Sequence, residues 1–79
     1  MQERDAKTVF DLGDFSKALI VPTPMGAGYH LHLVRFGKGG SEAVERQRGG
    51  WRVFSSMDAA ANTSNGIGFR RIEIDLSSR

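Results

Sequence analysis

Cysteine is absent from this 79-residue chain, so neither disulfides nor thiolate zinc sites can staple it. It has one tryptophan, one tyrosine and five phenylalanines, which leaves few large side chains from which to build a core. A chain of this size buries only about 60% of its unfolded surface. It therefore makes one domain, residues 1–79, with space for a shallow cleft and none for a deep one. No apolar run approaches the roughly 18 residues that a membrane-spanning helix needs. The opening Met1-Gln2-Glu3-Arg4-Asp5 is charged where a secretion signal would be apolar. The expectation is a cytoplasmic protein with no membrane contact.

Net charge is small and uneven in placement. The formal net charge is +2. Residues 35–52 carry Arg35, Lys38, Arg46, Arg48 and Arg52 against only Glu42 and Glu45, so an anionic partner is drawn to the middle of the chain.

Residues 1–7 are polar and read as a disordered tail. Thr8–Leu12 reads as an edge strand closed by Gly13-Asp14. Ala18–Val21 is β-branched at its end and runs into Pro22-Thr23-Pro24, which favours extended backbone. Met25–Gly28 is a turn by composition. Tyr29–Phe36 has apolar residues on both faces and reads as a central strand. Gly37–Ser41 is a loop, and Glu42–Gln47 is a candidate short strand. Arg48-Gly49-Gly50 is a hairpin turn, since glycine supplies positive φ without steric cost.

Trp51–Phe54 leaves that turn as a strand. Ser55 or Ser56 then caps a helix with Asp58 in its first turn. Its stripe is Met57, Ala60, Ala61 and Ser64, and Asn65-Gly66 is its stop. Phe69–Leu76 alternates, with Ile72, Ile74 and Leu76 inward and Arg71, Glu73 and Asp75 outward. Ser77-Ser78-Arg79 reads as a mobile tail. The pattern predicts an α+β fold, a small antiparallel sheet of four to five strands with one short helix packed on one face.

Motifs with chemical meaning are few. His30 and His32 share a strand face and could hold a metal, but no companion ligand cluster accompanies them, so packing is the preferred reading. Gly26-Ala27-Gly28 is followed by a strand where a dinucleotide fingerprint needs a helix. Gly37–Ser41 lacks the spacing of a phosphate loop. No nucleophile with a partnered base stands out, and neither an enzyme nor a bound cofactor or metal is expected.

The richest constellation is Arg46-Gln47-Arg48-Gly49-Gly50-Trp51-Arg52. Arginines around an exposed ring would suit a nucleic-acid strand stacked on Trp51. A solvated hairpin tip with Trp51 in the core is the preferred alternative, because a sole tryptophan is usually core. An acidic protein surface would use the same arginines.

Residues 48–61, with Asn65-Gly66-Ile67-Gly68-Phe69 and Ile72–Leu76, resemble a pattern seen in small accessory proteins of plasmids and phages, some of them partition-associated. The pattern is a basic turn, a strand ending Phe-x-Ser, a helix opening Leu/Met-Asp-Ala-Ala and a final strand after glycine. The resemblance implies a mobile-element protein that acts by binding, related in kind to small inhibitors of host defence complexes. The expected function is an interaction module that binds a protein partner through Arg35, Lys38, Arg46, Arg48 and Arg52. Self-association as a homodimer through a sheet edge is also expected, and nucleic-acid binding that uses Trp51 is the alternative.

Overall fold

The computed structural model describes residues 1–24 and 26–76. In chain order the elements are α1 (Glu3–Asp11), β1 (Phe15–Pro22), β2 (Tyr29–Arg35), β3 (Ser41–Ala43), α2 (Met57–Ile67) and β4 (Glu73–Ile74). The four strands form one sheet in the order β3-β2-β1-β4. The fold is α+β, with a helix on one face of the sheet, as the sequence pattern implies.

The β1–β2 hairpin is the frame. Its register sets Ala18 opposite Leu33, Ile20 opposite Leu31 and Pro22 opposite Tyr29. Cα partners share a face, so the buried side chains of both strands project together. Thr23 closes the connection, accepting from Gly26 N at its carbonyl and from Ala27 N at its hydroxyl, 3.0 Å in each case. Gly28 then passes so close to the 53–54 backbone that a Cβ there would lie 2.6 Å from the Phe54 carbonyl oxygen.

α2 lies over β1 and β2. The Ser56 hydroxyl accepts from Ala59 N at 3.1 Å, which satisfies one of the free amides of the first turn. The helix continues to Ile67, past the expected stop at Asn65-Gly66, because Ile67 falls on the stripe of Ala60 and Ser64 and is buried. That burial offsets the roughly 1 kcal/mol cost of a glycine inside a helix. Gly68, with φ 139°, ends it, and its N–H and that of Phe69 both donate to the Ser64 carbonyl.

Three expectations are corrected. Residues 1–7 are not a frayed tail and Thr8–Leu12 is not an edge strand, because Glu3–Asp11 is helical. Ala6 is fully buried, and Val9 and Phe10 pack on the core. These residues sit at i, i+3 and i+4, a helical spacing that outweighs the strand preference of Thr8-Val9-Phe10. The sheet is mixed rather than antiparallel, since β4 returns from α2 by a crossover and pairs parallel to β1. The expected strand Phe69–Leu76 is paired only at Glu73 and Ile74; Phe69 is in the core, whereas Ile74 and Leu76 are half exposed at the sheet edge. The expected tail 77–79 and Met25 lie outside the described residues.

The buried apolar residues form one cluster, which includes Phe15, Ile20, Leu31, Leu33, Val44, Phe54, Ile67 and Phe69. Among the described residues no helix is long and apolar enough to cross a membrane. Among the described residues one polar atom sits badly in this core: the Ser64 hydroxyl is fully buried with no hydrogen-bond partner among them. An unmade buried hydrogen bond costs about 1 kcal/mol or more, and alanine is also the better helix former. Ser64→Ala is therefore expected to stabilise the domain by about 1 kcal/mol, raising Tm by about 5 °C in a thermal melt followed by circular dichroism.

Candidate binding surface

The two faces of the sheet differ. α2 covers one, and α1 packs on α2 rather than on the sheet. The pairing register places Leu19 opposite His32, Val21 opposite His30, and Lys17 opposite Val34, all on the other face. Leu19, Val21, His30, His32 and Val34 are each only half-buried there. Neither helix covers this surface.

Trp51 lies over it. Its ring centroid is 5.2 Å from those of both His30 and His32, with both imidazoles at 89° to the indole plane. The two imidazoles are 6.2 Å apart. Trp51 is 53% exposed, which overturns its expected place in the core. The cause is local. Gly49 and Gly50, at φ 90° and 75°, form the turn with Arg46, and Trp51 bridges back to Glu45 at the hairpin neck. Three residues on, Phe54 exchanges both backbone hydrogen bonds with Tyr29 and takes the core position instead, only 3% exposed. The expected strand Trp51–Phe54 is thus two isolated bridges, with Val53 exposed between them.

The basic residues separate into two groups. Arg35 donates to Asp14 at 2.8 Å and is 2.6 Å from Glu42, with its guanidinium 5.6 Å from the Phe15 ring centroid. The hydrogen bond to Glu42 raises its pKa above an already high ordinary value. Arg52 reaches Glu3 at 3.4 Å and lies 4.6 Å over the Phe54 ring. Both arginines are therefore engaged within the fold. Lys38, Arg46 and Arg48 are exposed on loops, and Arg46 Nε donates to the Gly49 carbonyl.

They do not form one stripe. Lys38 lies in the loop before β3, and Arg46 and Arg48 lie in the turn after it, so the strand separates them. Beside that turn a cleft of about 630 Å³ opens toward the start of α1, lined by Glu3, Arg4, Glu45, Arg46 and Arg52 among others. Its charges nearly cancel.

The imidazole pair has no third partner for a metal: among the described residues no group of three or more His, Asp or Glu is placed to hold one. Burial, followed by the charge of His30, lowers the His32 pKa from its ordinary value near 6.5. The unfolded chain then takes up a proton more readily than the folded one, so stability contributed above about pH 6.5 is lost as the pH falls through the folded value. Thermal melts from pH 7.5 to 5 are expected to show Tm falling, and His32→Gln is expected to flatten that dependence. An unchanged slope in the variant would remove His32 as the cause.

The hairpin turn is legible in the sequence, but Trp51 reads there as a core residue, and the open face beneath it leaves no sign. Apolar residues on both sides of Tyr29–Phe36 signal a central strand, and they carry no sign that only one side is covered. No protein-family model, curated protein or solved structure matches this chain.

Proposed function

We propose that this chain is a binding module that docks a protein partner on the uncovered face of its sheet, with Trp51 as the anchor and Arg46 and Arg48 at the rim. The observation that carries this reading is the half-exposed indole set on two imidazoles and flanked by Leu19, Val21 and Val34. Interfaces of this kind concentrate binding energy in an aromatic centre and use arginine at the margin for charge complementarity. An acidic partner surface fits that rim. Self-association through a sheet edge is less favoured, because the edge strands β3 and β4 are three and two residues long.

A nucleic-acid strand stacked on Trp51 is the second reading, favoured by the indole's exposure beside Arg46 and Arg48. It draws on few free cations, because Arg35 and Arg52 are already paired. The cytoplasm is the proposed location, consistent with a chain that uses no cysteine. A mobile-element origin, from the resemblance of residues 48–76, belongs to the same proposal.

Two measurements test this reading. As the sole tryptophan, Trp51 reports directly on the face: a single-stranded oligonucleotide is expected to leave its fluorescence unchanged at 0.15 M salt (about physiological ionic strength). Quenching that disappears as salt rises would transfer the proposal to nucleic acid. Because the chain lacks cysteine, single cysteines can also be introduced cleanly. Val53→Cys is expected to be protected from maleimide by a partner in lysate from the source cell, whereas Lys7→Cys on α1 stays reactive. Equal reactivity at both positions would contradict the proposal.

A further inference from the structure

Gly66 lies inside α2, yet the fold does not call for glycine there. Its backbone is helical rather than left-handed, and a Cβ would meet only the Glu3 carboxylate, at 3.8 Å. Inside a helix glycine is disfavoured relative to every residue except proline. What it does confer at this position is chemical, because it makes Asn65-Gly66 the one Asn-Gly pair of the sequence. The backbone nitrogen after an asparagine attacks the side-chain amide most readily when its own residue has no side chain to hinder the approach.

Both residues are exposed, and only the helix holds the reaction back. In the helical ladder the Gly66 N–H donates to the Asn62 carbonyl. The Asn65 Nδ2 donates to the Phe69 carbonyl at 3.4 Å. Nucleophile and target amide are thus each turned to another partner. The end of the turn is thinly tied. The N–H groups of Gly68 and Phe69 both go to the Ser64 carbonyl, which leaves the Asn65 and Gly66 carbonyls without a backbone donor among the described residues. Burial of Ile67 is what anchors this last turn.

We propose that Asn65-Gly66 is a self-modification site gated by the last turn of α2, reacting when Ile67 leaves the core. In the opened turn the Gly66 nitrogen attacks the Asn65 Cγ. The new C–N bond closes a succinimide ring, the Cγ–Nδ2 bond breaks, and Nδ2 leaves as ammonia with the proton that the Gly66 nitrogen gives up. Water then opens the ring at either carbonyl and yields aspartate or isoaspartate. Isoaspartate routes the main chain through the former side chain and adds one methylene, so the helical register cannot re-form past residue 65. The residues beyond it are Ile67 and Phe69 in the core, Gly68 against the Phe10 ring, and β4. Either product also puts a negative charge in the final turn, where the helix dipole opposes it. Conversion therefore releases the end of α2 and the crossover that carries β4 to the sheet. This inference does not rest on the face beneath Trp51.

The test is ageing of the full chain near neutral pH, native and in guanidinium chloride, with isoaspartate located by peptide mapping. Asn62 is the internal control, since it is exposed on the same helix but is followed by the β-branched Thr63. In denaturant, isoaspartate is expected at position 65 well before position 62, and Gly66→Ala is expected to suppress it. In the native protein the rate at 65 is expected to be lower by about tenfold or more, the population cost of drawing a buried isoleucine out of the core. Ile67→Val, which keeps the fold but packs less well, is expected to raise the native rate about fivefold and to leave the denatured rate unchanged. The converted chain, separated by its extra negative charge, is expected to melt below the fresh protein. Equal rates in the native and denatured chains, a native rate indifferent to Ile67→Val, conversion of Asn62 as fast as that of Asn65, or an unchanged melt after conversion would each overturn the assignment.

Discussion

Gly28→Ala is expected to be the most damaging small substitution in this protein, lowering stability by about 3 kcal/mol. Two independent penalties combine there. The backbone holds φ at 147°, outside the regions that L side chains favour, which costs about 1–3 kcal/mol for a residue with a Cβ. The added carbon would also lie 2.6 Å from the Phe54 carbonyl oxygen and 2.7 Å from Val53 Cγ1. The carbonyl cannot move aside, because the Phe54 oxygen accepts from Tyr29 N and the Phe54 N–H donates back to the Tyr29 oxygen. Overpacking of this kind costs a further 1–3 kcal/mol. In a domain whose total stability is on the order of 5 kcal/mol, the expected fall in Tm is about 15 °C. Gly49→Ala is the matched control: φ is positive there too, at 90°, but the Cβ would meet nothing within 4 Å. Comparable melting temperatures for the two variants would show that the close approach at Gly28 is not a constraint.

Trp51→Ala is expected to have the reverse profile, with a large loss of binding and a small loss of stability. An aromatic anchor at the centre of an interface typically contributes 2 kcal/mol or more, so the dissociation constant for the partner should rise by about 30-fold or more. The folding cost should be only about 1 kcal/mol, because the indole is half exposed and its ring contacts are two perpendicular imidazoles. Equilibrium denaturation together with partner titration separates the two effects. A variant that loses binding only in proportion to unfolded protein would assign Trp51 a structural role.

The contrast between these residues shows which parts of the fold are legible in sequence. The β1–β2 frame is legible because Pro22 and Gly28 bracket a turn and because Tyr29–Phe36 carries apolar residues on both faces. A cap at Ser55 or Ser56, which the fold places at Ser56, and the turn at Gly49-Gly50 are legible because each depends on the chemistry of one or two adjacent residues. α1 is not legible because its buried face rests on Ala6, Val9 and Phe10, set among polar neighbours that resemble a tail. The parallel β4 was not legible, since Ile72-Glu73-Ile74 alternates in the same way whichever direction its neighbour runs. The surface was harder still. Which of two aromatics, Trp51 or Phe54, enters the core depends on the pairing of Tyr29 with Phe54, a contact between residues 25 positions apart. Arg35 and Arg52 read as free cations until the fold brings Asp14, Glu42 and Glu3 to them.

The central claim is that the uncovered sheet face beneath Trp51 is where a partner protein binds. It is tested most directly by placing a photo-crosslinking residue at Val53, which is exposed two residues beyond Trp51, with the same residue at Lys7 on α1 as the control. The account predicts a discrete protein adduct from position 53 in the source cell, none from position 7, and loss of the adduct when Trp51→Ala is added to a chain that still folds. Equal adducts from both positions, an adduct that survives Trp51→Ala, or an adduct that is nucleic acid would contradict it.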